Sequence, residues 1–310
     1  MLEGAATTRQ VANEMLRSRR PPRTPGERMI ANNFAAMQWI REHAAFPVTP
    51  DRVRDLHQIL TADMLADDES GRLQLADDER VVVSTPDGMV LHSPPPAEQL
   101  EERLDTLCRF ANGDIGPSEW LHPIARAIIT HFMFGYDHYF VDGNGRTARA
   151  LFYWVALREG HWLMEYLSLS RLLTLAPAQY GKAYLDVETD DGDVTYFIIH
   201  QLGVLWRALE HLDDYLDRKQ QQLSLTADVT RGLGLNHRQQ AVIARAVQDP
   251  GVVITAASHA SSHGVTVQTA RADLSALAKM GLLRTGKQSR SVVWTPAPQL
   301  PNRMEELNEL

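Results

Sequence analysis

One segment of the chain combines residue types suited to a phosphate, a metal ion and a proton. It reads His138-Tyr139-Phe140-Val141-Asp142-Gly143-Asn144-Gly145-Arg146-Thr147-Ala148-Arg149. Two glycines in so short a stretch allow consecutive backbone N–H groups to turn toward one point, and such a nest binds anions. A helix is predicted to follow, and its positive N-terminal end favours a phosphate at the same place.

The charged side chains of the segment each suit one part of the same chemistry. Arg146 and Arg149 stand three residues apart on the predicted helix, so both guanidinium groups can reach further phosphates. Asp142 offers the hard oxygen that Mg²⁺ takes beside phosphate oxygens. His138 is a candidate general base, because an imidazole titrates near neutral pH. A plain turn followed by solvated arginines is the alternative interpretation, and the combination of residue types favours a site.

This segment resembles the loop of the Fic (Fido) proteins, which reads His-Pro-Phe-x-Asp/Glu-Gly-Asn-Gly/Lys-Arg-x-x-Arg. The two agree at eight residues: His138, Phe140, Asp142, Gly143, Asn144, Gly145, Arg146 and Arg149. Tyr139 stands where proline is usual, which removes no reacting group. Residues 89–95 are similar to the hairpin "flap" of the same family. The resemblance implies a mainly α fold, a Fic helical core with a β-hairpin flap.

The function that the resemblance implies is transfer of AMP from ATP to a Ser, Thr or Tyr hydroxyl of a target protein, the chain itself included. His138 would deprotonate that hydroxyl, and Asp142 would bind Mg²⁺. The backbone of Gly143, Asn144 and Gly145 would stabilise charge on the α-phosphate. Arg146 and Arg149 would hold the β- and γ-phosphates.

Two further parts of the chain acquire roles from the resemblance. The flap residues Val90, Leu91 and His92 would align the target by β-strand addition and contact the nucleotide. Glu3, followed by Gly4, resembles the end of the inhibitory helix of the family. Glu3 is therefore expected to pair with Arg149 in place of the γ-phosphate.

The composition limits the class of protein. A chain of 310 residues is long enough for about two domains. Its single cysteine, Cys108, excludes an internal disulfide framework and a thiolate-rich zinc site. No apolar run approaches the ~20 residues of a membrane span, so a cytoplasmic protein without a membrane partner is expected.

Periodicity and turn residues predict a mostly helical chain. Helices are predicted at 8–16, 27–43, from Thr49 onward, and at 97–111, 121–134, 146–160, 168–174, 177–186 and 194–222, with a hairpin from 81 to 91 around Asp87-Gly88. The predicted organisation is an N-terminal helical region with the inhibitory segment (1–50), the catalytic core (51–223), a linker (224–234), a second domain (235–296) and a tail (297–310).

The second predicted domain is basic, with eight Lys and Arg against three acids over residues 228–295. Its pattern of three helices and a hairpin resembles a winged helix-turn-helix, with Asn236 capping the first helix, Thr255 capping the second and residues 266–280 forming the third. That resemblance implies a third helix in the DNA major groove, with Gln268, Thr269 and Arg271 toward the bases. On the wing, Lys287 and Arg290 would contact phosphates. A winged module that binds protein is the alternative.

Two other functions compete with AMP transfer at this stage. One is a DNA-binding regulator whose Fic core only senses a nucleotide, which an intact His138 argues against. The other is an enzyme of the same fold that uses another nucleotide, transfers a phosphoryl group or removes AMP. The predicted partners are ATP, a target protein bearing a hydroxyl, DNA through residues 235–296, and a second copy of the chain.

Overall fold

The computed structural model describes residues 15, 18, 20–80, 83–84, 90–115, 120–167, 173, 176–288 and 291–308. They belong to two compact units, Met1–Leu212 and Asp213–Leu310. Each unit has its own core of buried apolar side chains, so each is described separately.

The first unit begins with two helices that start in the same way. Helix α1 is Pro25–His43 and α2 is Pro50–Thr61. In both, the residue before the helix is a threonine whose hydroxyl accepts a hydrogen bond from a backbone N–H of the first turn, and a proline follows it. The predicted start of α2 at Thr49 is confirmed.

A short hairpin and a third helix follow. Strands β1 (Val83–Ser84) and β2 (Val90–His92) pair antiparallel, as expected for the flap. Helix α3 (Leu100–Asn112) comes after a 3₁₀ turn and ends at Gly113, which adopts the left-handed conformation with φ +85°.

Two helices in the middle of the unit flank the segment with the candidate residues. Helix α4 is Pro123–Asp137 and α5 is Asn144–Arg158. Both extend further toward that segment than the predicted 121–134 and 146–160. Helix α4 stops only where His138 takes a left-handed φ of +53°, and α5 begins directly after Gly143, at φ +79°. The intervening loop is therefore short, and a residue with a positive φ stands at each of its ends.

The next helices are α6 (Pro177–Glu188) and the long α7 (Thr195–Gly232), which begins in the first unit and ends in the second. The prediction that α7 ends at residue 222, before a linker at 224–234, is wrong. Residues 223–231 contain polar residues of modest helix propensity but no glycine or proline, so nothing interrupts the helix before Gly232.

The second unit contains a three-stranded sheet and four short helices that follow α7. In chain order its elements are α8 (His237–Gln248), β3 (Ile254–Thr255), α9 (Ala256–His263), α10 (Val267–Lys279), β4 (Leu283–Gln288), β5 (Ser291–Pro296) and α11 (Leu300–Asn308). The strand order is β3-β5-β4, antiparallel throughout. The predicted caps Asn236 and Thr255 are confirmed, and Thr266, where the third helix was predicted to begin, caps α10. The predicted tail contains α11, whose Leu300 and Met304 enter the core.

Several predictions fall outside the described residues: the helix at 8–16, most of the helix at 168–174, the inhibitory residue Glu3, the hairpin turn at 86–88 and the wing residue Arg290. Among the helices that the structure describes, none combines the length and the apolar character that crossing a bilayer requires.

Candidate active site

The loop between α4 and α5 is closed by one side chain, Asn144. Its Oδ1 accepts a hydrogen bond from Phe140 N at 2.9 Å, and its Nδ2 donates to Phe140 O at 2.6 Å. Asn144 is 2% exposed and Phe140 is fully buried. The side-chain amide of Asn144 thus satisfies both backbone polar groups of the buried Phe140, and this pairing fixes the conformation of the loop.

A second element, α2, holds the same loop through His57. Its Nδ1 accepts a hydrogen bond from Gly71 N at 2.9 Å, so the hydrogen is on Nε2, which donates to Asp142 O at 2.8 Å. The ring stacks on Phe140 with centroids 3.8 Å apart. Burial lowers the pKa of His57 to about 4, so the ring is neutral at pH 7. Sequence reasoning missed His57, because it lies 85 residues from its partner.

Gly143 is required by both conformation and space. Its φ is +79°, which L side chains rarely adopt. A Cβ at this position would lie 2.8 Å from Thr61 Cγ2 and 3.1 Å from His57 Nε2. The close approach of α2 to the loop therefore depends on this glycine.

Tyr139, which replaces the usual proline of the motif, binds the buried carboxylate of Asp137, which is also paired with Arg103. Its hydroxyl donates to Asp137 Oδ2 at 2.6 Å, while Arg103 donates to Asp137 Oδ1 from Nε at 2.9 Å and Nη2 at 2.7 Å. Burial raises the pKa of Tyr139, and the Asp137 carboxylate raises it further, so the phenol stays protonated. The tyrosine thus anchors the loop where a proline would only stiffen it.

Arg80 ties the end of α4 to the segment after the hairpin. It donates hydrogen bonds to His138 O at 3.0 Å, Asp137 O at 2.9 Å and Pro95 O at 2.8 Å. The last carbonyl groups of a helix lack intrahelical donors, and a guanidinium is well suited to bind them. Arg80 therefore fixes the backbone that carries His138.

His138 itself is placed as a base. Among the described residues, Gly135 O lies 3.4 Å from its Nδ1 and can only accept, so this contact favours the neutral tautomer with the hydrogen on Nδ1 and the lone pair on Nε2. Burial lowers the pKa of His138, and the nearby charges of Arg80 and His92 lower it further, against the opposing effects of Gly135 and Asp142. The side chain is thus in the form that accepts a proton at neutral pH.

The N-terminal end of α5 faces the same loop. Its first intrahelical hydrogen bond runs from Thr147 N to Gly143 O, so Asn144 N and Gly145 N precede the helical ladder. Gly145 is exposed, and a Cβ on it would lie 3.2 Å from Nη1 of Arg149. Arg149 is 6% exposed. Backbone N–H groups, the helix dipole and this guanidinium meet at one place, a suitable arrangement for an anion.

Arg146 occupies a different environment from Arg149. Its side chain is 2% exposed and donates to Leu60 O at 3.0 Å, to Met64 Sδ at 3.3 Å and to Asp142 Oδ2 at 3.2 Å. These contacts attach α5 to the end of α2. Contact of Arg146 with a phosphate stays a prediction.

Asp142 keeps an accessible carboxylate, 47% exposed, beside the helix end. Its Oδ1 accepts a hydrogen bond from Gly143 N at 2.6 Å, which fixes its orientation. Within the described residues, no group of three His, Cys, Asp or Glu side chains could hold a metal. A Mg²⁺ ion fits here only when most of its oxygen ligands come from a phosphate or from water, which is how Mg²⁺ usually binds.

The structure brings together the loop residues that sequence analysis selected, from His138 to Arg149. For Val90 and Leu91 it describes the backbone of β2, and His92 reaches the last turn of α4, 2.8 Å from Tyr136 O. Glu3 lies outside the described residues.

Comparison with known proteins identifies this part of the chain. Residues 47–156 match the model of the Fic/DOC family. The match assigns these residues, and not the whole chain, to a Fic domain. Two curated relatives bear the name Protein adenylyltransferase Fic. The Nematostella vectensis protein is 39% identical over 69 residues, 22% of this chain and 16% of that protein. The Drosophila melanogaster protein is 36% identical over 70 residues, 23% of this chain and 14% of that protein. The chain therefore spans only a small part of these relatives.

Solved structures support the fold. A Fic family protein from Desulfovibrio desulfuricans G20 superposes with a TM-score of 0.59 at 19% identity, over 95% of this chain and 82% of that chain. A fragment of Fic-1 from C. elegans gives a TM-score of 0.51 at 20% identity, over 70% of this chain and 59% of that chain. At these identities the likeness concerns the fold alone.

Proposed function

We propose that the Fic domain transfers AMP from ATP to a hydroxyl group of a protein. The observation that carries this proposal is the pairing of a neutral His138, with its lone pair on Nε2, and an anion-binding helix end on the same short loop. One group accepts a proton and the other holds a phosphate. Two relatives of the domain are named as adenylyltransferases, which favours AMP as the transferred group.

The proposed reaction replaces one bond from oxygen to the α-phosphorus by another and moves one proton. Nε2 of His138 takes the proton as the hydroxyl oxygen of the target bonds to the α-phosphorus. The bond from that phosphorus to the bridging oxygen breaks, and pyrophosphate leaves. The first-turn N–H groups of α5 stabilise the charge on the α-phosphate, and Arg149 holds the outer phosphates. Such reactions depend mainly on positioning and electrostatics.

Asp142 is the residue that would hold Mg²⁺, together with phosphate oxygens of ATP. The ion would neutralise part of the phosphate charge. The Asp142 carboxylate is oriented by hydrogen bonds from Gly143 N and from Arg146 Nη2.

Substitution of His138 tests the proposal. His138→Ala should lower the transfer rate by about 10²–10⁴-fold, because the general base is lost, while ATP binding persists. Transfer is measured as incorporation of label from α-labelled ATP into protein, detected by autoradiography and by intact-mass analysis. ATP binding is measured in parallel by calorimetric titration. The matched control is His211→Ala, an exposed histidine on α7. A near-normal rate in His138→Ala would contradict the assignment.

The same assay separates the rival chemistries. Incubation with ATP, GTP, CTP or UTP shows which nucleotide is used, and the added mass distinguishes a nucleotidyl group from a phosphoryl group. Asp142→Asn should reduce the transfer and weaken its dependence on Mg²⁺. Removal of AMP from a modified protein without any transfer would favour the hydrolytic alternative.

We also propose that the second unit binds duplex DNA as a winged helix. Gln268 and Arg271 are exposed on α10, as are Arg284 and Lys287 on β4, so the unit has hydrogen-bonding and basic side chains accessible on both elements. Thr269 is less suited to base contact than expected, since its hydroxyl bonds to Thr266 Oγ1 at 2.9 Å within the helix cap.

A salt titration tests DNA binding. The full chain should bind mixed-sequence duplex DNA at low salt, and the affinity should fall steeply as salt rises, because Lys and Arg contacts release counterions. Lys287→Ala should weaken binding and flatten the salt dependence, whereas Lys182→Ala, on α6 of the other unit, should change neither. Absence of binding at low salt would favour a protein partner for this unit.

A further inference from the structure

His92, the last residue of β2, has contacts that the proposed chemistry does not use. Its Nε2 lies 2.8 Å from Tyr136 O, and its Nδ1 contacts the carboxylate of Glu188. Its ring lies against the ring of Tyr136, with centroids 4.3 Å apart. One side chain therefore joins the hairpin, the last turn of α4 and the final residue of α6.

The groups around His92 determine which of its ring nitrogens carry hydrogen. Tyr136 O can only accept, so Nε2 carries a hydrogen. A carboxylate and the second ring nitrogen face each other, so a proton lies between Nδ1 and Glu188, whichever atom carries it. Both ring nitrogens are thus engaged. The side chains of His92 and Glu188 are 11% and 27% exposed, so the imidazole is mostly covered while the carboxylate remains partly accessible to water.

An ordinary surface ion pair on the same helix gives a contrast. Lys182 and Asp186 are also paired on α6, but their side chains are 71% and 33% exposed and they lie in one helix. Exposed pairs of that kind contribute little to stability. The Glu188 contact differs because it connects separate elements and carries a second hydrogen bond to the backbone.

The location of this network relates it to the base. Tyr136 lies two residues before His138, and the preceding carbonyl, Gly135 O, accepts the hydrogen bond from His138 Nδ1. The groups that face His92 are Glu188, the Tyr136 ring and His138. Burial raises the pKa of Tyr136, and the Glu188 carboxylate beside it raises that pKa further.

We propose that Glu188 and His92 are positioning residues that latch strand β2 of the flap onto the turn that carries His138. Glu188 orients His92, and His92 holds β2 against Tyr136 O. A target segment added to β2 then presents its hydroxyl at a fixed distance from His138. The functional consequence of the latch rests on the proposed transfer reaction.

Hydrogen exchange tests the latch without any nucleotide. Glu188→Ala should raise the exchange rate of the amides in residues 90–92 about tenfold, the effect expected from losing one charge-assisted hydrogen bond. The matched control is Asp186→Ala, which removes from the same helix a carboxylate that is paired with Lys182 and not with the hairpin. Glu188→Gln keeps an acceptor oxygen and should give an intermediate rate. Equal exchange in Glu188→Ala and Asp186→Ala would overturn the proposal.

Kinetics test what the latch does. With α-labelled ATP and the chain as its own acceptor, Glu188→Ala should lower kcat about tenfold or more, since a small displacement of reacting groups is costly. The KM for ATP should change much less than kcat, because Glu188 contacts His92 and not the helix end that is assigned to the phosphates. Faster exchange with an unchanged kcat would overturn the positioning role. No transfer by the wild-type chain would instead contradict the proposed function, and exchange would still decide whether the latch exists.

Discussion

At the scale of single residues, Tyr139 shows how a departure from a family motif is accommodated. Its hydroxyl donates to the buried carboxylate of Asp137, which also accepts two hydrogen bonds from Arg103. A hydrogen bond to a charged group is worth more than one to a neutral group. The side chain that replaces proline therefore adds a stabilising contact and leaves the reacting groups of the loop in place.

Tyr139→Phe should lower the free energy of unfolding by about 1.5–3 kcal/mol, because Asp137 loses a charged-acceptor hydrogen bond. The control is Tyr153→Phe, whose hydroxyl donates to a neutral acceptor, Leu167 O, at 2.7 Å. That control should lose only about 0.5–1.5 kcal/mol. Urea unfolding of both variants makes the comparison. An equal or larger loss in Tyr153→Phe would contradict the importance given to the Asp137 contact.

His57 makes stability depend on pH through its burial. Its pKa falls to about 4 in the folded chain from an ordinary value of 6.5, so between these pH values the unfolded chain binds more protons. The free energy of unfolding must therefore fall as pH falls from 6.5 to 4. For one such group the loss is on the order of 2–3 kcal/mol.

Replacing His57 should remove this part of the pH dependence. His57→Gln should be less stable than wild type at pH 7, yet lose on the order of 2–3 kcal/mol less between pH 7 and 4.5. His211→Gln, at an exposed position on α7, should follow the wild-type curve. Urea unfolding at each pH provides the data. Parallel curves for wild type and His57→Gln would show that His57 is not the group responsible.

At the scale of elements, the loop is built by the close approach of α2 and the start of α5. Gly143→Ala should be destabilising for two reasons, a positive φ that costs about 1–2 kcal/mol and a Cβ only 2.8 Å from Thr61 Cγ2. Thr61→Ser removes that methyl group but keeps the hydroxyl that donates to His57 O at 2.8 Å. Gly143→Ala should therefore cost less in the Thr61→Ser background.

A double-mutant cycle on urea unfolding measures this difference directly. The conformational part of the cost should remain in the double variant, because φ does not change. If Gly143→Ala lowered the free energy of unfolding equally with and without the threonine methyl, the contact between α2 and the loop would not contribute to the cost of the substitution. The same cycle run on transfer activity would show whether the catalytic loop tolerates the displacement.

Which elements were predictable depends on the range of the interactions that form them. The caps at Thr49, Asn236 and Thr255 were predictable, because a cap and its N–H partner lie within three residues. The residues of the loop were predictable from their types. His57 and Arg80 were not, because their partners lie 85 and 57–58 residues away. The end of α7 was misplaced, because a polar composition alone does not end a helix.

At the scale of the whole molecule, each unit has its own core and its own buried carboxylate. In the first unit Asp137 binds Arg103 and Tyr139. In the second, Asp273 on α10 accepts hydrogen bonds from Arg238 Nε at 2.7 Å and from Asn236 Nδ2 at 3.0 Å, so it holds the beginning of α8. The Arg238 contact, more than any other, lowers the pKa of Asp273. The corresponding stability is present above the ordinary pKa of an aspartate and is lost as pH falls below it.

These two carboxylates allow a test of whether the units are independent. Asp273→Ala should destabilise the second unit by on the order of 3 kcal/mol and lower its melting temperature by on the order of 10 °C, because buried pairs are costly to break. Calorimetry of the full chain should show two transitions, one with a lower melting temperature and the other with an unchanged one. Asp137→Ala should move the other transition instead. AMP transfer should survive Asp273→Ala while DNA binding weakens, since each activity is assigned to one unit. A single transition that moves with either variant, or loss of transfer in Asp273→Ala, would mean that the two units fold and act together.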